Sequence, residues 1–364
     1  MTISGPHRID IRALCVAPNA TIRQAVACID RGQCGVALVV DESNRLVGTI
    51  TDGDVRRAML ASIVLEDSVE QLLASKSNIA YTAPVVALVG TPPDRLLQIM
   101  KERSVRQIPL LDTAGRVEDL ATLDELAPRE GLPVQAVIMA GGFGTRLRPL
   151  TEDLPKPMLP VNGRPVMERI VDQLREVGIR HVNVTTHYKP EKIIEHFGDG
   201  HAFGVELNYV NEDRPLGTGG ALGLMPQPQE PLLVINGDIL TQVDFGAMLA
   251  FHQENHALMT IAVRRYDVQV PYGVIECEGS RVRHLSEKPR LGFLVNAGIY
   301  LLEPAVFGFM PQGQHFNMTD LIQWLLDADR VVASFPIHEY WLDIGQHADY
   351  AQAQSDSESG KIAT

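Results

Sequence analysis

Glycines and basic side chains share one short stretch of this chain, and together they could bind a phosphate. Residues 137–161 read VIMAGGFGTRLRPLTEDLPKPMLPV, where an apolar run stops at two glycines and Arg146 and Lys156 follow. Backbone N–H groups of a glycine turn after a strand can face a phosphate, and arginine and lysine supply the positive charge. The turn is not a dinucleotide fingerprint, which would need a glycine at Leu147, and it is not a Walker loop. A glycine turn beside an exposed arginine is the alternative that this stretch leaves open.

Two aspartates could hold a magnesium ion beside such a phosphate. PLLVINGDIL has the pattern of a buried strand that ends at Asp238, and EYWLDIG places Asp343 in a similar strand-then-glycine setting. Magnesium prefers hard oxygen ligands and usually takes one or two carboxylates together with phosphate oxygens. Either aspartate alone is more simply a helix cap or a turn residue. The two aspartates together with the basic residues predict a magnesium site.

Two further segments have the composition of ligand-binding loops. LSEKPRLGFLVNAGIYLL (285–302) sets Glu287 and Lys288 before a proline, in a loop or at a strand end. The lysine could hold a second phosphate and the glutamate a sugar hydroxyl, or the two could form a solvated ion pair of little energetic value. PLGTGGAL (215–222) is a second glycine turn, suited to close approach of the backbone to a flat base.

The elements around these segments alternate between strand and helix. QAVIMA, HVNVTTH and VELNYV are strand patterns, while PVMERIVDQLREVGI and PEKIIEHF are helix patterns with one apolar face. This alternation predicts an α/β fold with a Rossmann-like, doubly wound and mostly parallel sheet. Ligands of such sheets bind beyond the carboxyl ends of the strands, where both glycine turns and Asp238 are expected.

The first 127 residues contain an internal repeat with an offset of 71 residues. VVDESNRLVGTITDGD (39–54) aligns without a gap with LLDTAGRVEDLATLDE (110–125). Each unit is predicted to run helix, strand, turn, strand, helix. A unit of about 60 residues buries too little apolar surface alone, so the two are expected to pack as an α+β pair.

The sequence therefore predicts four regions. They are a repeat pair at 1–127 (units at about 7–65 and 78–127), a linker at 128–133, an α/β domain at 134–351, and a flexible tail at 352–364.

Composition narrows the functional classes. The net charge of −13 argues against a nucleic-acid partner, which would need a basic face. Neither a secretory signal nor an apolar stretch of about 20 residues is present, so we expect a cytoplasmic protein without a membrane partner. The four cysteines form no CxxC pair and the eleven histidines no HExxH motif, which leaves a zinc hydrolase without support.

The motifs GGFGTRLRPLT, PKPMLPV, EDRPLGTGGAL, NGD, YGV, EKP, NAGIYL and WLDIG follow one another over residues 134–350. In this order they resemble the sugar-1-phosphate nucleotidyltransferases, also called nucleotide-sugar pyrophosphorylases. The GTITDGD stretch and the repeat offset resemble a tandem CBS-domain pair. A CBS pair ahead of such a domain is similar to the guanylyltransferases proposed to make GDP-glucosamine for legionaminic acid synthesis.

The resemblance implies a reaction, a cofactor and small-molecule partners. A nucleoside monophosphate would pass from a nucleoside triphosphate, GTP in the narrower resemblance, to a sugar-1-phosphate such as glucosamine-1-phosphate, and pyrophosphate would be released. Mg²⁺ is the implied cofactor. Synthesis of GDP-mannose, GDP-heptose or a UDP-sugar is the alternative within the enzyme class, and a non-catalytic nucleotide sensor is the alternative outside it.

The resemblance also implies roles for individual residues. Those implied to bind the nucleotide are Ala140, Gly141, Gly142, Gly144, Thr145, Arg146, Lys156, Pro215, Leu216, Gly217 and Thr218. Those implied to bind the sugar phosphate are Tyr272, Gly273, Glu287, Lys288 and Asn296. Asp238 and Asp343 would hold magnesium, and the implied catalytic residues are Arg146, Lys156, Asp238 and Lys288.

In the CBS pair, the resemblance implies that Thr51 and Asp54 bind an adenine nucleotide (AMP, ADP or ATP) as a regulatory ligand. The second unit departs from the pattern, because Glu125 replaces the aspartate and Asp119 stands where the first unit has Gly48. A packing or dimerisation module without a ligand is therefore the alternative. Since CBS pairs associate with one another, a homo-oligomer is expected.

Overall fold

The computed structural model of the protein describes residues 10–32, 34–61, 63–76, 83–127 and 131–362. The chain divides between residues 130 and 131 into two compact units, which are described in turn. Within the described ranges, no helix combines the length and the apolar character that a membrane span requires.

The first unit consists of short strands and helices in two similar series. The first series is β1 (Cys15–Val16), α1 (Ile22–Gly32), β2 (Val36–Val40), β3 (Leu46–Thr51), α2 (Asp52–Leu60) and α3 (Val69–Ser75). The second series is β4 (Ala87–Leu88), α4 (Pro93–Arg103), β5 (Gln107–Leu111), β6 (Val117–Thr122) and α5 (Leu123–Leu126). Each series forms its own three-stranded sheet, in the order β1-β2-β3 or β4-β5-β6.

The two series share one strand register, displaced by the repeat offset. Val36 of β2 faces Thr51 of β3, and Gln107 of β5 faces Thr122 of β6. A short helix leaves the second strand of each pair, capped by the threonine that ends that strand. The internal repeat seen in the sequence is thus a repeat of the backbone.

The two series also pack together through their loops and a joint apolar cluster. The Leu46 N–H donates to the Gly115 carbonyl at 3.2 Å, and the Val117 N–H donates to the Asn44 carbonyl at 3.1 Å. The buried members of the cluster are Leu14, Val36, Leu38, Val117 and Leu120. A shared core is what two units of this length need, because neither has enough apolar surface of its own.

The first repeat is longer than the sequence pattern indicates. Helix α3 lies beyond residue 65, yet its Val69 and Leu72 are buried in the same cluster as Ile22 and Ile50. Ser68 caps this helix by accepting the Gln71 N–H. The outer ends of the expected units, residues 7–9 and 78–82, lie outside the described residues.

The second unit alternates strands and helices around a central sheet. Its elements up to the middle are β7 (Gln135–Met139), β8 (Pro160–Val161), β9 (Arg164–Pro165), α6 (Val166–Glu176), β10 (His181–Thr186), α7 (Pro190–Phe197), β11 (Glu206–Asn211), α8 (Gly217–Gly220) and β12 (Leu232–Asn236). The remaining elements are β13 (Ile239–Thr241), α9 (Phe245–Glu254), β14 (Met259–Gln269), β15 (Val274–Glu278), β16 (Arg281–Ser286), β17 (Arg290–Leu302), α10 (Met318–Asp327), β18 (Val332–Pro336), β19 (Trp341–Asp343) and α11 (His347–Glu358).

The central sheet has seven strands in the order β11-β10-β7-β12-β17-β14-β18. Every pairing in it is parallel except the two that β17 makes, with β12 and with β14. Apolar clusters lie on both faces, one containing residues of α6, α7 and α9 and the other residues of α10. Strands buried on both faces are typical of doubly wound sheets. The predicted mixed α/β fold with a mostly parallel central sheet is confirmed.

Two boundary expectations need a correction. Within the expected linker, Leu132 already belongs to the second unit, because its N–H donates to the Val177 carbonyl at 3.2 Å, and residues 128–130 lie outside the described residues. The expected flexible tail is wrong for residues 352–362, since α11 runs to Glu358. Ala353 and Ile362 are buried there in a cluster with Leu147. The sequence looks polar in this stretch because few apolar residues, widely spaced, are enough to fix the helix.

Candidate active site

The carboxyl ends of three neighbouring parallel strands meet at one edge of the central sheet. Strands β7, β10 and β12 run side by side, and their final residues lead into the first glycine turn, His187 and Asp238 respectively. The Gly237 N–H donates to the Met139 carbonyl at 2.9 Å, which holds the end of β12 against the end of β7. The sheet therefore brings the first glycine turn and Asp238 close together.

The first glycine turn is fixed by close packing. Gly144 has φ 62°, and a Cβ there would lie 2.9 Å from Thr151 Cγ2, so only glycine fits. The Thr151 hydroxyl donates to the Gly144 carbonyl at 2.8 Å, which ties the turn to the following loop. By contrast, a Cβ added at Gly142 would meet nothing within 4 Å, so the turn is open on that side. The open side is where an anion could approach the backbone N–H groups.

Lys156 lies between the two aspartates that the sequence singles out. Its ammonium group pairs with Asp238 Oδ2 and lies 3.6 Å from Asp343 Oδ1, while its side chain is only 11% exposed. Asp343 reaches this position through a short strand pair, because it faces Ile239 across β13 and β19, directly after Asp238. The Ile344 N–H donates to the Asp238 carbonyl at 3.1 Å. Residues far apart in sequence thus form one charged cluster.

This cluster has the donor chemistry that a divalent cation needs. Asp238 Oδ1 is buried and has no hydrogen-bond partner among the described residues, although a buried carboxylate oxygen normally has one. Burial raises the pKa of Asp343, and the negative charge of Asp238 raises it further, against the opposing charge of Lys156. Two crowded carboxylates, one with an unsatisfied oxygen, are hard oxygen ligands of the kind that divalent cations prefer. The residues present therefore fit a divalent metal ion.

Arg146 lies near Asp343, at the border of the lysine–aspartate cluster. Its Nη1 is 4.0 Å from the position that a Cβ on Gly345 would take, two residues after Asp343. The Gly345 turn is held by Asp349, whose Oδ2 accepts the N–H groups of Gly345 at 3.1 Å and Gln346 at 2.8 Å. Asp349 is a positioning residue that the sequence patterns did not reveal, because it also caps α11 like any helix N-terminal carboxylate.

A buried carboxylate that the sequence patterns did not reveal lies just before the second glycine turn. Glu212 is 6% exposed, and its Oε2 accepts the Leu216 N–H at 2.9 Å. Its Oε1 accepts no hydrogen bond from the described residues and lies 2.5 Å from where a Cβ on Gly141 would be. Burial raises the pKa of this carboxyl. Glu212 therefore joins the two glycine turns, and the glycine at position 141 is what makes room for it.

The rest of the second turn is held by the segment that leads into α10. The Phe316 N–H donates to the Leu216 carbonyl at 2.8 Å, and the Met318 N–H donates to the Thr218 hydroxyl at 3.0 Å. A Cβ on Gly217, which has φ 80°, would lie 2.7 Å from the Phe316 carbonyl oxygen. Pro215, the other expected base-binding residue, begins this turn and is exposed.

Aromatic side chains anchor the first turn from outside. Phe143, at its tip, packs edge-on against His187 with ring centres 5.4 Å apart, and it packs at a tilt against Tyr188 with ring centres 5.6 Å apart. The Tyr188 hydroxyl donates to the carbonyls of Thr151 and Glu152, both at 3.1 Å. Nothing in their spacing along the chain links these residues, so only the fold reveals the contact.

The expected sugar-phosphate residues lie in the segment from β14 to β17. Tyr272 and Gly273 are in the loop between β14 and β15, Glu287 and Lys288 are in the loop between β16 and β17, and Asn296 is in β17. Tyr272, Glu287 and Lys288 are exposed, and Glu287 Oε2 is 2.9 Å from where a Cβ on Gly273 would be. Asn296 Oδ1 accepts the Gly298 N–H at 2.9 Å. Across the described part of the chain, no hydrogen bond or ion pair connects Lys288 with the lysine–aspartate cluster. These residues are exposed to solvent, whereas the lysine–aspartate cluster lies at the carboxyl ends of the sheet strands.

In the first unit, Thr51 and Asp54 form the N-terminal cap of α2. The Asp54 carboxylate, 6% exposed, accepts from the Thr51 N–H and hydroxyl at 2.9 Å and from Arg57 at 2.8 Å, and it pairs with Lys76. Burial alone would raise the pKa of Asp54, but these cations and hydrogen bonds outweigh it and lower the pKa. Thr122 caps α5 in the same way in the second repeat. The pair therefore already has a structural role.

Comparisons with known proteins identify the family to which the second unit is similar. A family model described as nucleotidyl transferase matches residues 135–360, and a CBS-domain model matches residues 9–61. The chain is 35% identical over 230 residues to mannose-1-phosphate guanylyltransferase of Mycobacterium tuberculosis, covering 61% of this chain and 64% of that protein. It is 32% identical over 241 residues to UTP–glucose-1-phosphate uridylyltransferase of Synechocystis, covering 60% and 62%. The chain thus spans a little under two thirds of the length of these curated relatives.

A solved structure shares the fold of the second unit. It is that of a Bacillus anthracis protein assigned as a glucose-1-phosphate thymidylyltransferase, in complex with sucrose. The TM-score is 0.51 and the identity 25%, and the match covers 61% of this chain and 94% of that one.

Proposed function

Since this chain belongs to the nucleotidyl transferase family, we propose that it transfers a nucleoside monophosphate from a nucleoside triphosphate to a sugar-1-phosphate. The observation that carries the proposal is the cluster in which Lys156 lies between Asp238 and Asp343 at the sheet edge that also presents the first glycine turn. A cation, two carboxylates and an open glycine turn are the groups that a reaction between two phosphates requires.

The chemistry would be an in-line displacement at phosphorus. An oxygen of the sugar-1-phosphate forms a new bond to the α-phosphorus while the bond from that phosphorus to the bridging oxygen of pyrophosphate breaks. The nucleophile is already anionic near neutral pH, so no protein base has to remove a proton. The main barrier is repulsion between two anions, and positioning and charge neutralisation lower it.

The chain's own residues would divide this task. N–H groups of the first glycine turn would hold the β- and γ-phosphates, and Arg146 would stabilise the charge that develops on the leaving pyrophosphate. Lys156 would move its ammonium group from the carboxylates to the α-phosphate when the substrates arrive. Lys288, in the loop between β16 and β17, would fix the attacking phosphate.

Asp238 and Asp343 would hold the divalent metal ion that members of this family typically use. Mg²⁺ is the ion we propose, because it favours few protein carboxylates together with substrate phosphates. Once bound, it would screen the phosphate charges and orient the triphosphate.

Guanine is the base that the second turn favours. Glu212 has one carboxylate oxygen engaged with Leu216 and one without a protein partner, at the junction of the two glycine turns. An ionised carboxylate only accepts hydrogen bonds, and guanine presents adjacent N1–H and N2–H donors, whereas adenine, cytosine and uracil do not present this pair. The proposed guanylyl transfer agrees with the name of the mycobacterial relative, while the Synechocystis relative is named for a uridylyl transfer.

For the sugar, we propose glucosamine-1-phosphate on the narrower resemblance, with mannose-1-phosphate as the alternative that the relatives' names support. For the CBS domain we propose regulation by an adenine nucleotide. Binding through Thr51 and Asp54 would have to compete with the cap of α2, because both side chains already take part in it.

The test is pyrophosphate release by the full chain with Mg²⁺, using the common nucleoside triphosphates against glucosamine-1-phosphate, mannose-1-phosphate and glucose-1-phosphate. We expect turnover with GTP and one of these sugars, and none after chelation of the metal by EDTA. Turnover with UTP but not GTP would refute the guanine assignment while keeping the reaction. Binding of GTP without turnover for any sugar would favour the non-catalytic alternative.

A further inference from the structure

Three side-chain hydrogen bonds connect α11 with the segment that follows Lys156. The Tyr350 hydroxyl donates to the Pro160 carbonyl at 2.6 Å, and Gln354 Nε2 donates to the same oxygen at 2.8 Å. Gln354 Oε1 also accepts the Asn162 N–H at 3.0 Å. These bonds hold β8 and the turn after it against the helix, and Pro160 comes only four residues after Lys156.

Backbone hydrogen bonds extend this attachment from β8 back to Lys156. Lys156 begins a short 3₁₀ helix, and the Leu159 N–H donates to the Lys156 carbonyl at 3.1 Å. The Leu159 carbonyl accepts the Val166 N–H, also at 3.1 Å, and the Leu159 side chain is buried. The backbone of Lys156 is therefore joined to α11 through one compact turn.

A small apolar core links the same helix with the segments that carry the charged residues. Leu147 in this core directly follows Arg146 in the chain. Ile344 directly follows Asp343. The buried members of the core are Leu147, Leu159, Val161, Val166, Leu240, Ile344, Ala353 and Ile362, of which the last two belong to α11 and to the residues after it. The helix thus packs on the neighbours of several charged residues at once.

The place of the Lys156 ammonium group depends on this backbone. A lysine side chain is a point charge on a flexible four-carbon stem. Its Nζ nevertheless pairs with Asp238 and lies 3.6 Å from Asp343 Oδ1. In the proposed reaction the same group moves to the α-phosphate, where a displacement of about 1 Å can cost about 100-fold in rate. A flexible stem needs a fixed Cα to reach both positions.

We propose that Tyr350 and Gln354 are positioning residues for the reaction, because they fix the backbone of Lys156 through the Pro160 carbonyl. The inference rests on the proposed function, in which Lys156 acts on the α-phosphate. Asp349 of the same helix holds the turn after Asp343. Helix α11 therefore supports both the cation and one of the carboxylates of the lysine–aspartate cluster.

These hydrogen bonds should matter more for turnover than for stability. Pro160 and Asn162 are exposed, so water can replace a lost bond and each bond contributes little to the free energy of unfolding. The hydroxyl of Tyr350 and the amide of Gln354 share one acceptor, so loss of either leaves the Pro160 carbonyl bonded to the other. The loss of turnover on removing both should therefore exceed the product of the single losses.

Steady-state pyrophosphate release by the full chain tests this expectation as a double-mutant cycle. Tyr350→Phe and Gln354→Met should each lower kcat about threefold, and the double variant should lower it about 30-fold or more. KM for the nucleoside triphosphate should change less than about twofold, because the first glycine turn holds the β- and γ-phosphates. Gln352→Met, the same substitution at an exposed residue of α11, should change neither constant.

Chemical labelling of Lys156 gives a second readout that needs no turnover. Acetylation by an N-hydroxysuccinimide ester, quantified for each lysine by mass spectrometry, should be slow at wild-type Lys156, which is 11% exposed and paired with Asp238. In the double variant the rate at Lys156 relative to exposed Lys192 should rise about fivefold, because a released turn opens locally. A wild type that turns over no substrate pair would refute the proposed function and leave this labelling test intact.

Circular dichroism would first establish that the variants fold, and the two single variants give the result if the double variant does not. With an active wild type, an unchanged kcat or a rise in KM alone would overturn the proposal. Equal labelling of Lys156 in wild type and variant would overturn it as well. An equal effect of Gln352→Met would do the same, since the contacts of Tyr350 and Gln354 would then not be the cause.

Discussion

Replacement of Lys156 by methionine should affect stability and turnover through the same ammonium group. Its Nζ is 3.6 Å from Asp343 Oδ1 and closer still to Asp238. Coulomb's law with an effective dielectric of about 20 gives roughly 4–5 kcal/mol for unit charges at 3.6 Å. Asp343 is 47% exposed, so solvent screens that contact and the more buried Asp238 contributes more. Removing one partner of a buried pair costs about 3–5 kcal/mol, and we expect the lower end here.

The expected outcome has two parts. Unfolding by urea without metal should show a loss of about 3 kcal/mol in the free energy of unfolding for Lys156→Met. Steady-state pyrophosphate release should fall about 100- to 1,000-fold, because a positioned charge on a reacting phosphate is worth several kcal/mol. Lys192→Met, a change at an exposed lysine of α7, is the control and should alter neither quantity.

A titration with magnesium separates the charge cluster from a general loss of structure. In Lys156→Met no ammonium group offsets the negative charges of Asp238 and Asp343. MgCl₂ should therefore raise the melting temperature of this variant more than that of the wild type. Turnover above a tenth of the wild-type value would refute the catalytic role of the lysine. An equal magnesium response in both proteins would refute the placement of the metal on this carboxylate pair.

Other predictions follow from single sites. Glu212→Gln should reduce the preference for GTP over other nucleoside triphosphates about 10- to 100-fold in kcat/KM, because one of two hydrogen bonds to the base edge is lost; an unchanged ratio would remove Glu212 from base selection. Thr51→Ala should lower the free energy of unfolding by about 1 kcal/mol through loss of the α2 cap, and Thr122→Ala should do the same in the second repeat. If Thr51→Ala instead changes only a response of turnover to AMP or ATP, the ligand role outweighs the cap. His252, buried between Thr260 and Glu303, has a pKa lowered by burial, against the charge of Glu303. The folded state therefore disfavours its protonation, so stability should be full above the ordinary histidine pKa of about 6.5 and fall as the pH drops below it. His252→Gln should flatten this fall in pH-dependent urea unfolding, and a wild-type slope in the variant would contradict the assignment.

Much of the fold follows from local patterns that the sequence shows directly. The alternation of strand and helix patterns from residue 135 onward predicts the parallel sheet because each pattern reflects which face of an element is buried. The repeat offset predicts two copies of one unit, since similar sequences form the same hydrogen-bonded turn and cap. The order of the glycine turns and NGD along the chain indicates the family, because glycine turns and carboxylates at the ends of strands are the groups that bind phosphates and a metal ion.

What the sequence did not reveal lies in contacts between distant segments. Asp349 and Glu212 look like an ordinary helix cap and an ordinary loop acid until the fold places one behind Gly345 and the other behind Gly141. The polar composition after residue 351 predicts a frayed end, but Ala353 and Ile362 find apolar partners there that only the packed chain supplies.

The sequence by itself therefore determined the α/β class, the repeat, the family motifs and the identities of Lys156, Asp238 and Asp343, because residue type and spacing carry that information. The tertiary structure alone decided that one ammonium group lies between two carboxylates whose residues are about a hundred positions apart in the sequence. Charge and burial depend on which side chains become neighbours, and neighbours are set by strand order and register rather than by position along the chain.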